Sequence, residues 1–281
     1  MTQPFSTVNV LGFDFIKATQ QEFVEQLKKD SLSHKNRFVV TANPEIVLTA
    51  LNDPEYSSVI KGADYLTADG IGIVKGAKIL GSSLPGRVTG FDTMTAILKW
   101  CDEERKKIYF LGAKNEVIMT MIEKIKTTYP GIVIAGFHDG YFKDESGIVR
   151  EIQSSEPDFV FCALGFPKQE YFIEKNRHVT DAIWMGIGGS FDVLAGYAER
   201  APQWWIDHHI EWLYRLYKEP TRFLRMMALP KYLLLVYRYK FSENKRQLPE
   251  PFIGLRFFYF FKRRVWKKSR FTLEINEASN K

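Results

Sequence analysis

The chemistry open to this 281-residue chain rests on an aspartate, two short polar residues and a set of arginines. Asp69 stands in YLTADGIG (65–72), between an apolar run and a glycine-rich turn. Three roles suit a carboxylate there: a helix N-cap, an acid that holds a cofactor ribose, or a base that takes a proton from a hydroxyl. A base needs polar company, and Thr41 and Asn43 in TANPE (41–45) are short side chains of that kind. Pro44 after them suits the first turn of a helix. Arg215, Arg222 and Arg225 are spaced so that one helix would carry them on one side. Clustered guanidiniums grip a diphosphate in pairs of hydrogen bonds, whether it belongs to a lipid or a nucleotide. In GIGGSFD (186–192), Gly188 and Gly189 could let backbone N–H groups approach phosphates, or could simply make a tight strand-to-helix turn.

Other chemistries find less support. The five histidines, at 34, 138, 178, 208 and 209, show neither HExxH nor Cys/His ligand spacing, so no catalytic metal is expected. There is also no Asp-x-Asp to hold a divalent ion beside a nucleotide diphosphate. DGIGIVKG offers glycines in the spacing G-x-G-x-x-x-G and does not follow the first strand, which argues against a dinucleotide loop and a nicotinamide oxidoreductase. Cys101 and Cys162 lack CxxC spacing and suit a reducing compartment. The amino-terminal MTQPFSTVNVLGFDF lacks the basic start and apolar core of a secretory leader. No run of about 20 uncharged apolar residues predicts a membrane-spanning helix.

The elements that must position these residues alternate. Short β-branched or aromatic runs at 37–43, 64–68, 107–113, 132–137, 158–165 and 182–189 read as strands. Helical patterns at 90–106, 115–130 and 146–153 fall between them, with Val117, Met121, Ile122 and Ile125 forming an apolar stripe. Continuous apolar strands separated by helices predict a doubly wound α/β fold with a mostly parallel sheet covered on both faces. Ligands of such sheets bind beyond the carboxyl ends of the strands. Four polar or glycine-rich stretches fall there: 41–45, 68–72, 165–170 and 186–192.

Charge divides the chain. Residues 1–199 carry 21 Lys and Arg against 26 Asp and Glu, whereas residues 200–281 carry 18 against 7. Such a tail seeks an anionic partner. Residues 255–271, LRFFYFFKRRVWKKSRF, pack seven aromatics and seven Lys or Arg into 17 positions. Aromatics and aliphatics interleaved with basic residues at helical spacing predict amphipathic helices on an anionic membrane surface rather than a nucleic-acid site. A non-catalytic membrane scaffold would share that tail but would not need four polar strand ends. The organisation expected is a core over 1–200, a helical appendage over 201–240, and a basic aromatic tail over 241–281.

Taken in order, TANPEIV (41–47), ADGIGIV (68–74), PGRVTGFD (85–92), IYFLGA (108–113), DGYF (139–142), ALGFPKQE (163–170), GIGGSFDVLAG (186–196), RAP (200–202) and EWLYRLYKEPTRFLRMMALP (211–230) resemble the WecG/TagA/CpsF family of glycosyltransferases. The resemblance runs from about residue 8 to residue 240. It implies a Rossmann-like core with a C-terminal basic amphipathic appendage, and an inverting, metal-independent enzyme without a cofactor. The implied donor is a UDP-sugar, with N-acetylmannosamine or a related hexose; UDP-glucose and a UDP-uronic acid are alternatives. The implied acceptor is a polyprenyl-diphosphate-linked saccharide. The implied place is the cytoplasmic face of the plasma membrane, in teichoic acid or other cell-surface polysaccharide synthesis. A homo-oligomer is compatible with the resemblance.

By the same resemblance Asp69 is similar to the family's proposed base, with Thr41 its neighbouring site threonine and Asn43 in the same motif. Arg87 resembles the pocket arginine, and Gln169 a nucleotide-sugar contact. Arg215, Arg222 and Arg225 match basic residues thought to close over the diphosphate at the membrane. Some members have TPNAE where this chain has TANPE, which moves the proline by two positions and leaves Thr41 and Asn43 in place.

Overall fold

Each of the six apolar runs becomes a strand of one parallel sheet, and the four polar or glycine-rich stretches fall at the carboxyl ends of four of these strands. The computed structural model describes residues 4–208, 210–218 and 223–242. All of these but Ser242 belong to one compact unit, Met1–Phe241.

In chain order, β1 (Thr7–Val10) and β2 (Phe13–Ile16) precede α1 (Gln20–Leu32), β3 (Arg37–Ala42), α2 (Pro44–Asn52) and α3 (Pro54–Lys61). Next come β4 (Tyr65–Ala68), α4 (Ile71–Ile79), α5 (Gly90–Glu103), β5 (Lys107–Gly112), α6 (Asn115–Thr128) and β6 (Val133–His138). Then follow α7 (Glu145–Ser155), β7 (Phe159–Ala163), α8 (Lys168–Asn176), β8 (Ile183–Gly186) and α9 (Ser190–Ala195). The final described helices are α10 (Gln203–Asp207), α11 (Glu211–Lys218), α12 (Phe223–Met226) and α13 (Ala228–Phe241).

The strand order is β4-β3-β8-β7-β5-β6, with every pairing parallel. This is the parallel, helix-covered α/β sheet that the alternation predicts, and it has the Rossmann-like character that the family resemblance implies. Side chains on successive strand residues point to opposite faces, and β3 shows the consequence. Phe38, Val40 and Ala42 join a core layer with α2, α3, α4 and α8, whereas Val39 joins the opposite layer with α1, α5 and α6. The apolar stripe of α6 is buried as its spacing requires.

Two features lie outside what the periodicity predicts. The hairpin β1–β2 forms its own two-stranded sheet; Leu11 at φ 54° and Gly12 at φ 85° make a two-residue turn whose twist matches the strands. The second feature is α13. Although 201–240 reads as an appendage, Tyr232, Leu235 and Val236 of α13 are buried in the layer that contains α2 and α4. Glycines permit that approach: a Cβ on Gly72 would lie 2.5 Å from Pro44 Cγ and 2.7 Å from Leu229 Cδ1, and one on Gly76 would collide with the Tyr232 hydroxyl.

The Tyr232 hydroxyl is itself buried without a hydrogen-bond partner, and burial pushes its pKa above the usual tyrosine range. An unpaired buried hydroxyl costs about 1–3 kcal/mol. Tyr232→Phe should therefore be as stable as the parent or more stable, by up to about 1 kcal/mol in the unfolding free energy read from a denaturant titration. A clear loss of stability would show that the hydroxyl is satisfied in solution.

Candidate active site at the carboxyl edge of the sheet

The four polar stretches follow β3, β4, β7 and β8, which are contiguous in the sheet as β4-β3-β8-β7. Chain segments up to 145 residues apart in sequence thus meet along one edge, as in the bond from Thr41 to Gly186. A separate cavity of about 370 Å³ lies at the amino end of β4, under the hairpin, where Thr7, Phe13, Lys61 and Asp64 help line it.

Asp69 is the first residue beyond β4. Its N–H donates to Ala42 O at 3.0 Å, so the β3–β4 ladder continues one step and fixes Asp69 beside the start of α2. The helix-cap role is not the one it plays. The N-cap of α4 is Gly70, which has extended backbone and no side-chain cap bond. Gly70 holds that position because a Cβ there would lie 2.8 Å from Pro44 Cδ and 3.2 Å from Asn43 Cβ. The Asp69 side chain is 32 % exposed.

The cap in this neighbourhood is Asn43. Its Oδ1 accepts from the N–H of Glu45 at 2.9 Å and of Ile46 at 3.1 Å, starting α2 with Pro44 in its first turn. The shifted proline of TANPE is thus a helix-initiating residue. The cap uses only the carbonyl oxygen of Asn43, which leaves its NH₂ as the group with which it could serve a ligand. Thr41, at 9 % exposure, donates its hydroxyl to Gly186 O at 3.2 Å and ties β3 to β8. Gly90, at the head of α5, approaches the same hydroxyl so closely that a Cβ would sit 3.0 Å from it.

Arg87 arrives on the loop between α4 and α5. Thr67 donates its hydroxyl to Val88 O at 3.1 Å, and Val88 N–H donates to Ala68 O at 2.9 Å, so β4 pins the loop on both sides of its own carboxyl end. The guanidinium Nε then donates to Asp69 O at 2.6 Å, and Nη2 lies 3.6 Å from Asp69 Oδ1. The same Nη2 donates to Glu211 Oε2 at 3.1 Å. Arg87 thereby links the Asp69 carboxylate to α11, the second helix of the appendage. The Arg87 and Glu211 side chains are 18 % and 11 % exposed.

Glu211 did not stand out in the sequence. It opens the arginine-rich segment 211–230 as one of only seven acids after residue 199, and an acid there is the signal that could have marked it.

Gln169 and the glycine turn form the other half of the edge. Gln169 is 4 % exposed; its Oε1 accepts the Gly188 N–H at 3.1 Å, and its Nε2 donates to Glu170 Oε1 at 2.7 Å. Both ends of the amide are in use, so Gln169 shapes the turn from within. Gly188, at φ 53°, occupies left-handed backbone that favours glycine. Gly189 follows as the N-cap of α9, without a side-chain cap. Glu170 is a further residue that spacing did not single out. It is 1 % exposed, and burial pushes its pKa up to about 7.

Of the appendage arginines, Arg222 lies outside the described residues. Arg215 and Arg225 lie on α11 and α12, with side chains outside the described set. The aromatic tail from residue 243 is likewise outside. Among the described residues the appendage exposes Trp204, Trp212, Tyr217, Phe223, Tyr237 and Phe241. No described helix is long and apolar enough to cross a membrane. No group of three or more metal-ligating side chains is found among the described residues.

Comparison with known proteins gives these positions a context. The model of the Glycosyl transferase WecG/TagA/CpsF family matches residues 8–246. A relative from Bacillus spizizenii is 43% identical over 234 residues, covering 83% of this chain and 91% of its own. One from Bacillus subtilis strain 168 is 37% identical over 248 residues, with 87% and 96% covered. One from Staphylococcus aureus strain MW2 is 35% identical over 244 residues, with 86% and 94% covered. Each of the three is named N-acetylglucosaminyldiphosphoundecaprenol N-acetyl-beta-D-mannosaminyltransferase.

Proposed function

The chain belongs to the WecG/TagA/CpsF family and is a glycosyltransferase of cell-surface polysaccharide synthesis, and from that premise we propose that it transfers an N-acetylmannosamine-like hexose from a UDP-sugar to a polyprenyl-diphosphate-linked saccharide. In this reading Asp69 removes the proton from an acceptor hydroxyl. The hydroxyl oxygen forms a bond to the anomeric carbon from the face opposite the leaving group. The bond from that carbon to the diphosphate breaks, UDP carries away the electron pair, and the product is inverted.

The observation that carries this reading is the cluster Asp69–Arg87–Glu211, where a partly exposed carboxylate at the sheet edge meets a guanidinium held by the appendage. Negative charge grows on the departing diphosphate, and a preorganised cation next to the reacting centre stabilises it. Arginines of the appendage supply the same service in this reading, which is why no metal is proposed. The exposed aromatics of α10–α13 support a peripheral position on an anionic membrane, where a polyprenyl acceptor is presented.

The test incubates the full chain with a panel of UDP-sugars and a short lipid-diphosphate-linked N-acetylglucosamine, reading product mass and anomeric configuration. Transfer of N-acetylmannosamine with inversion is expected. Preferred transfer of glucose or a uronic acid would replace the donor, and no transfer from any UDP-sugar would overturn the reading.

A further inference from the structure

Glu170 is a carboxylate in a place that favours an apolar residue. Its Oε2 has no hydrogen-bond partner, and its Oε1 accepts from Gln169 Nε2 at 2.7 Å. Desolvation is the leading cause of its raised pKa, opposed by the Gln169 amide, its own backbone N–H and the Tyr56 hydroxyl. A buried, half-satisfied carboxylate weakens a core that an apolar side chain of the same volume would strengthen.

Its one strong bond has a directional consequence. The two ends of a glutamine amide have nearly the same shape, so packing alone does not decide which end faces which way. At pH 8, above its raised pKa, the Glu170 carboxylate accepts and does not donate, so it compels the Gln169 NH₂ to face it. The Gln169 carbonyl then faces the Gly188 N–H, to which it bonds at 3.1 Å. With the amide reversed, NH₂ would face N–H and the bond would be lost. Within the turn the Ser190 hydroxyl donates to Ile187 O at 2.7 Å, and the Gly188 N–H is held from outside it by Gln169, whose Nε2 also fills the space a Cβ on Gly186 would take, 2.7 Å away.

We propose that Glu170 is a positioning residue that locks the Gln169 amide in one orientation and thereby fixes the Gly188 turn for the sugar-nucleotide donor. The donor's identity rests on the transferase reading above; the lock does not. Hydrogen–deuterium exchange across residues 186–190 of the full chain reads the lock without any donor. In Glu170→Leu this exchange should quicken by about tenfold, the measure of one lost hydrogen bond. The donor KM should rise about tenfold while kcat changes by less than about threefold. The variant should melt no lower at pH 8, since it removes a buried charge.

Glu170→Gln keeps an acceptor without its charge and should quicken exchange by about threefold, with most of the donor KM rescued. Gln169→Leu combined with Glu170→Leu should be no worse than Gln169→Leu alone. Unchanged exchange in either Glu170 variant, or additive losses in the double variant, would overturn the proposal. Should Glu170→Leu fail to fold, Glu170→Gln decides the question by the same exchange measurement. Absence of transfer from any donor by the parent chain would overturn the transferase reading and leave the exchange result intact.

Discussion

With Asp69 as the proposed base, Asp69→Asn should lower turnover by about two to four orders of magnitude, the range that a positioned general base contributes. The substitution keeps the shape of the side chain and removes its capacity to take a proton at neutral pH. Because the backbone carbonyl of Asp69, rather than its carboxylate, receives the shorter bond from Arg87, the arginine stays in place. Donor affinity should therefore remain within a few-fold of the parent, read by calorimetric titration of UDP, and the melting temperature should be unchanged. A loss of kcat with the donor KM preserved is the pattern of an interaction made in the transition state. Near-normal turnover by Asp69→Asn would take the base role away from this residue.

The second large effect belongs to Arg87. Breaking a mostly buried ion pair by removing one partner costs about 3–5 kcal/mol. Arg87→Met takes the guanidinium away from Glu211, which is 11 % exposed on its side chain, and withdraws positive charge from beside Asp69. The expected result is a fall in kcat/KM of at least about a hundredfold, together with loosening of α11. Proteolysis near residues 208–210, between α10 and α11, would report that loosening.

Arg87→Lys should rescue little, since an ammonium cannot reproduce donation from both Nε and Nη2. Glu211→Gln supplies the other corner of a double-mutant cycle, with a coupling of about 1–3 kcal/mol expected for groups in direct contact. Additive losses would mean that α11 does not communicate with the site through this pair.

These two residues also show how unevenly the site was written in the sequence. Asp69, Thr41 and Asn43 were legible as candidates because Asp69 and Asn43 follow directly on apolar strands and Thr41 is the last residue but one of β3, and strand ends of a parallel sheet share an edge. The role of each was less legible. Asp69 preceded a glycine-starting helix and suited a cap, yet Gly70 holds that position and Asn43 caps the neighbouring helix. Cap assignment depends on the backbone angles of one residue and on where its side chain can reach, which spacing does not report. Gln169 was legible as a member of a motif; that both ends of its amide are spent inside the fold was not.

What the sequence by itself determined is the layered α/β body and the gathering of four polar turns on one edge. Both follow from short-range periodicity: apolar runs of strand length, helical stripes between them, and the period-two alternation that sends Val39 and Val40 to opposite faces. Tertiary structure alone decided which groups on that edge touch. Arg87 meets Glu211 across 124 residues, Thr41 meets Gly186 across 145, and α13 turns from an appendage into part of the core by burying Tyr232 against Gly76. Such contacts are set by the shape and charge of packed surfaces, and no local pattern of residues encodes them. The physical reason is the range of the forces involved: backbone preference acts over a few residues, whereas burial and ion pairing act between whatever surfaces the fold brings together.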